Sequence, residues 1–148
     1  MPDQPIAPTT TISALNTVVS WTAPYHGGVA ISSYTISLID NTGTYVEDTT
    51  VCNGSDPAIV SALECTIPSS HFITEPYELE WGTSIQAKVI ATNVRGSSLQ
   101  SDSGNGAVIE TNPDAPVSLQ DAPLVTAATQ VGLTWLEGAA NGGTAVID

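Results

Sequence analysis

The sequence predicts an all-β chain. Its expected form is an antiparallel β-sandwich built as one complete module, residues 1–112, followed by the first strands of a second, residues 113–148. Three observations point there. Thr, Ser, Val, Ile, Gly and Pro dominate, while helix formers are scarce, with one Met and two cationic side chains in 148 residues. Apolar residues alternate with polar ones in several short runs, which is the strand period. The opening of the chain also recurs near its end, as internal repeats do.

The elements follow in order. Pro8-Thr9-Thr10-Thr11 reads as strand, with O-linked sugar on the threonines as the rival reading. In Thr17-Val18-Val19-Ser20-Trp21, Val19 and Trp21 share one face, so Trp21 belongs to a half-buried strand and marks the core. Ser33-Tyr34-Thr35-Ile36-Ser37-Leu38 alternates likewise, with Tyr34, Ile36 and Leu38 inward. Asp40-Asn41-Thr42-Gly43 is a hairpin turn whose glycine suits a positive φ. Thr44 to Val51 is strand-like, and Ser84 to Ala91 is the clearest strand, with Ile85, Ala87, Val89 and Ala91 on one face. A last strand is expected over Ala107-Val108-Ile109-Glu110.

The repeat is specific. Pro2-Asp3-Gln4-Pro5-Ile6 returns as Pro113-Asp114-Ala115-Pro116-Val117 at an offset of 111. Trp21 returns as Trp135 at 114, and Gly27-Gly28 as Gly142-Gly143 at 115. Trp135 is therefore expected to mark a second core. The second copy stops at Ile147-Asp148, one position before the tyrosine that Tyr34 leads one to expect. Truncation of a longer repeat protein and completion by a partner copy both account for this, and they are compatible.

Trp21, Gly27-Gly28, Ile31 and Tyr34, with an initial proline, resemble a fibronectin type III domain of the immunoglobulin-like class. The run Ile85 to Thr92 followed by Asn93-Val94-Arg95-Gly96 is similar to that family's sixth strand and its Ala-x-Asn-x-x-Gly ending. Ile85 stands where the family normally places a corner tyrosine, so that hydrogen bond is not expected. Cys52 to Cys65, Trp81-Gly82-Thr83 and Ser103 to Ile109 resemble modules of very large tandem-repeat surface proteins of ciliates. The resemblance implies a non-catalytic structural or adhesion role.

Composition narrows function. Fifteen acids against two cations give a formal net charge of −13, yet the apolar fraction is 41%, too high for a disordered acidic tail. Lys88 and Arg95 form no basic patch, which argues against nucleic acid and anionic membrane surfaces as partners. No apolar run is long enough to cross a bilayer, so no membrane insertion is expected in this segment. The start lacks the charged and apolar regions of a signal peptide and reads as a mature piece of something longer.

Two cysteines, Cys52 and Cys65, are expected to form a disulfide, with two buried free thiols as the alternative. Asn53-Gly54-Ser55 is a glycosylation sequon beside them. Together they favour an extracellular or cell-surface setting. No nucleophile elbow, phosphate loop or dinucleotide fingerprint is present, so no catalytic residue and no cofactor is expected. His26 and His71 read as solvated loop residues without partners. Glu78 and Glu80 read as the outer face of an extended segment whose Tyr77, Leu79 and Trp81 face the core; an exposed Trp81 would instead stack on sugar. Asp102-Ser103-Gly104-Asn105-Gly106 lacks the alternating oxygen ligands of a calcium loop. The expected partners are other copies or neighbouring repeats of the same protein, and glycans. The competing class is a carbohydrate-binding or spacer module of a secreted hydrolase.

Overall fold

A computed structural model describes residues 1–110 and 112–143. Two antiparallel sheets face each other. Strands β1 (Thr9–Ser13), β2 (Asn16–Ser20) and β5 (Glu64–Pro68) form one, in the order β1-β2-β5. Strands β3 (Ser33–Ile39), β4 (Tyr45–Glu47), β6 (Ser84–Asn93) and β7 (Gly96–Ser97) form the other, in the order β4-β3-β6-β7, and β8 (Gly104–Val108) also pairs with β6. This is an all-β sandwich.

The alternation read from the sequence sets the inner faces. Tyr34, Ile36 and Leu38 of β3 and Ile85, Ala87, Val89 and Ala91 of β6 are buried against Val19 and Ile67 of the opposite sheet. Trp21, just past β2, lies edge-on to Tyr34 with ring centroids 5.3 Å apart and closes one end of the core. Phe72 and Tyr77 close the other end and are fully buried. Residues 1–110 thus carry a continuous core with both sheets in place.

Thr10 is buried, and its hydroxyl donates to the Ile85 carbonyl (3.0 Å) and accepts from the Ala107 N–H (2.9 Å). It latches β1 onto β6 and β8. A buried, doubly bonded hydroxyl cannot carry a glycan, so the sugar reading fails at Thr10.

Three expectations need correction. The strand expected over Thr44 to Val51 ends at Glu47, because the Asp48 carboxylate accepts from the Thr50 N–H and hydroxyl and turns the chain. The last strand lies at Gly104–Val108 rather than at Ala107 to Glu110. Tyr77 to Trp81 is not extended throughout: Glu78 has φ 48° and bends it. Tyr77 and Leu79 are nonetheless buried, with Glu78 and Glu80 outside. Trp81 is partly buried against the core, so it offers no open platform for a sugar ring.

Two elements have no counterpart in the sequence expectations. Helix α1 (Pro57–Ala62) starts at Asp56, whose carboxylate accepts the Ala58 N–H at 2.8 Å, with proline at the first turn. A 3-10 turn over Ser69–Ile73 carries His71.

Strands β9 (Val117–Asp121) and β10 (Leu133–Leu136) form a separate two-stranded sheet. Its register repeats that of β1 and β2. Thr10 faces Val19 and Thr9 faces Ser20; 111 and 114 positions on, Asp121 faces Leu133 and Gln120 faces Thr134. A leading hydrogen bond repeats too: the Asp3 N–H donates to the Tyr25 carbonyl, and the Asp114 N–H to the Ala140 carbonyl, both at 2.9 Å.

Candidate interaction surfaces

The sandwich has two poles, and each is built by identifiable residues. At the N-terminal pole the Tyr25 to Val29 turn and the Val94-Arg95 turn are tied together by one side chain. The buried Asn93 amide donates to the His26 and Val29 carbonyls, both at 2.9 Å, and its oxygen accepts the Arg95 N–H at 2.8 Å. His26 is exposed in this turn, and its Nδ1 accepts the Gly28 N–H. Gly27 has φ 66°, and a Cβ there would lie 2.4 Å from the Met1 carbonyl oxygen, so the N-terminal arm seats on bare backbone. Tyr25 and Val94 remain 66% and 83% exposed. Arg95 projects beside them and makes no ion pair among the described residues.

The C-terminal pole is acidic. Asp40, Asn41, Glu78, Glu80 and Gln86 line an open groove of about 530 Å³ with no aromatic ring in its walls. The Asp40 carboxyl is held below its usual range, first by the Thr42 hydroxyl and then by the backbone N–H groups of the turn. Gly43 closes that turn at φ 85°. On the same pole the Gly82 N–H donates to the Ile109 carbonyl at 2.9 Å.

His71 departs from expectation. It is half-buried, and its Nε2 lies 2.9 Å from the Asp48 carboxylate. The Thr50 hydroxyl, and after it His71, lower the Asp48 pKa. Tyr77 packs edge-on to His71; burial, and secondarily the Asp48 charge, push its phenol well up, and its hydroxyl has no partner among the described residues. A His–Asp pair is half of a catalytic relay, but among the described residues no hydroxyl or thiol is bonded to the His71 imidazole; the Thr74 hydroxyl donates to the His71 backbone carbonyl instead. The pair braces the 3-10 turn against the end of β4. Among the described residues no group of three His, Cys, Asp or Glu could hold a metal ion.

The sulfurs of Cys52 and Cys65 are bonded, with Cα atoms 5.6 Å apart, and both residues are buried. The bridge ties β5 to the segment that leaves β4. Beside it Asn53 is exposed, its side-chain oxygen accepting the Ser55 N–H at 3.1 Å. Gly54 is buried, and its carbonyl accepts the Tyr34 N–H.

The β9–β10 pair presents a third surface. Val19 and Trp21 are 0% and 7% exposed, whereas their repeat counterparts Leu133 and Trp135 are 50% and 52% exposed. Trp135 is thus not a core residue among the described ones. Strand β2 has β5 on its far edge, and β10 has no strand there among the described residues. Prolines show the same contrast: Pro2 and Pro5 are buried, Pro113 and Pro116 exposed. Thr111, beside the boundary between residues 1–112 and 113–148, and Thr144 to Asp148, including the expected stop, lie outside the described residues.

No family model matches the sequence, and comparison with curated proteins gives no match. Solved structures do match. The sixth fibronectin type III domain of human fibronectin type III domain containing protein 3 is similar, with 20% identity and TM-score 0.53, over 78% of this chain and 93% of that one. Domains A168-A170 of titin are similar over 73% of this chain and 32% of that one, with 22% identity and TM-score 0.51. Titin kinase with its flanking domains gives 22% identity and TM-score 0.50 over 73% and 17%. This chain therefore spans a small part of both titin structures. The likeness shows the fibronectin type III fold.

Proposed function

We propose that this chain is a non-catalytic structural or adhesion segment of an extracellular tandem-repeat surface or filament-forming protein. Residues 1–112 are one complete module and 113–148 the opening of a second. It acts by packing modules end to end and by completing the sheet of the second module with strands from another copy. The observation that carries this is the β9–β10 pair, which repeats the β1–β2 register while exposing the residues that β2 buries. Two strands alone are marginal in water, so this face requires cover.

The Cys52–Cys65 bond favours an oxidising compartment, and the exposed Asn53 suits a glycan there. Among the described residues no helix is long and apolar enough to cross a membrane. The resemblance to very large ciliate surface proteins belongs to the same reading. The net charge of −13 keeps single copies soluble and opposes their packing, so polyvalent cations would favour assembly.

A carbohydrate-binding or spacer role is the second reading, and the polar groove at the C-terminal pole is what favours it. The missing aromatic wall weighs against it. Electron microscopy of the concentrated protein tests the first reading. End-to-end arrays are expected; isolated monomers at high concentration, with residues 113–148 unfolded, refute it. Binding on a glycan array without self-association would favour the second.

A further inference from the structure

The chain contains one instance of how the C-terminal pole meets a Gly-Gly turn. Gly143 sits against it so closely that an added Cβ would lie 2.7 Å from the Ile109 carbonyl oxygen, 3.1 Å from the Gly82 nitrogen and 3.6 Å from the Glu110 Cα. From the other side, a Cβ on Gly82 would lie 3.5 Å from the Gly143 oxygen. Backbone meets backbone, which at Gly143 works only because that residue has no Cβ, whereas a Cβ on Gly82 would make ordinary contact. By the repeat, Gly143 corresponds to Gly28. Gly28 shares the left-handed φ, 84° against 96°, but has nothing within 4 Å of where its Cβ would be. The second glycine of the turn is therefore occupied in one copy and open in the other, while Met1 covers Gly27 beside it.

The surroundings of Gly28 suit a like occupant. Exposed Tyr25 and Val94 offer apolar area, and Arg95 is one of only two cationic side chains in the chain. The pole that Gly143 touches carries Glu110 and, around its groove, Asp40, Glu78 and Glu80. The N-terminal pole carries Arg95 and one carboxylate, Asp3, whereas the other pole carries four carboxylates and no cation among these residues, which favours head-to-tail contact over head-to-head.

We propose that the N-terminal pole around Gly28 is a docking surface for the C-terminal pole of a second copy of this module. The Trp81-Gly82-Thr83 turn and Ile109-Glu110 of that copy seat on Gly28, and Arg95 faces its carboxylates. This rests on the tandem reading above and adds its geometry: each module uses each pole once, so the contact propagates along a stack.

A protein carrying residues 1–112 ahead of residues 2–148 tests this, since the first copy has its own complete core and Asn112 runs into Pro2 as it runs into Pro113. Amide NMR is recorded for both copies, and again with Arg95→Glu in the second. The second copy's Gly28, Val94 and Arg95 amides are expected to shift away from those of the first copy, and the two copies to tumble as one body. Arg95→Glu, an exposed turn substitution, or high salt should reduce those shifts. Matching Gly28 amides in both copies, with independent tumbling, would overturn the docking surface. If arrays of the unaltered chain still formed, the tandem role would stand without it. Docked copies with no arrays would leave the surface standing and remove the assembly role.

Discussion

Trp21 and Trp135 are the same residue of the repeat in two environments, and truncating each gives a sharp contrast. Trp21 is 7% exposed and lies edge-on to Tyr34, so Trp21→Ala leaves a large cavity at one end of the core. Such truncations cost about 3–5 kcal/mol, against about 5–15 kcal/mol for a whole domain. With a urea dependence of about 2 kcal/mol/M, the unfolding midpoint should fall by about 2 M. Trp135 is 52% exposed and has no opposing sheet among the described residues, so Trp135→Ala should move the same transition by about 0.5 kcal/mol or less. Trp21→Phe separates burial from polarity. The indole Nε1 is buried without a hydrogen-bond partner among the described residues, so phenylalanine removes an orphan donor and should cost much less than alanine. Urea unfolding followed by far-ultraviolet circular dichroism reads all three. Equal midpoint losses for Trp21→Ala and Trp135→Ala would refute the reasoning, because they would mean that both tryptophans are packed alike.

Other consequences follow from the same contacts. Replacing Cys52 and Cys65 by serine removes a bridge spanning 13 positions and should destabilise the sandwich by about 3 kcal/mol, read as a lower urea midpoint that reductant no longer changes. Gly104→Ala would place a Cβ 1.6 Å from the Pro8 carbonyl oxygen; the forced separation of β1 and β8 should cost about 1–3 kcal/mol in thermal unfolding. Asp48 has a lowered pKa, so its contribution is present above its unfolded pKa of about 3.9 and is lost as pH falls through the folded value; Asp48→Asn should flatten the acid limb of stability against pH.

The strands that bury one face were legible because alternation reports burial: β2, β3 and β6 lie where Val19, Tyr34 to Leu38 and Ile85 to Ala91 put them. The repeat reached further, since its offsets of 111 and 114 match the pairing of Asp121 with Leu133. Tertiary contacts were not legible. His71 and Asp48 lie 23 positions apart and meet only because the 3-10 turn folds back on the end of β4. Thr10 sits in a run of three threonines, where nothing marks the middle one as the latch between sheets. Helix α1 is six residues long with no buried side chain, too short to show a helical period. Its Asp56-Pro57 start was the one signal that could have found it. The docking face around Gly28 was not legible, because an open turn and a filled one have the same sequence.

Amide hydrogen exchange on the intact chain, with association followed by ultracentrifugation, tests the central claim most directly. In dilute solution β1 and β2 should be protected while β9 and β10 exchange freely, since two strands without a covering sheet open readily. As concentration rises, protection of β10 should appear in step with association. A chain that stays monomeric at high concentration, with β9 and β10 unprotected throughout, would contradict completion of the second sheet by another copy.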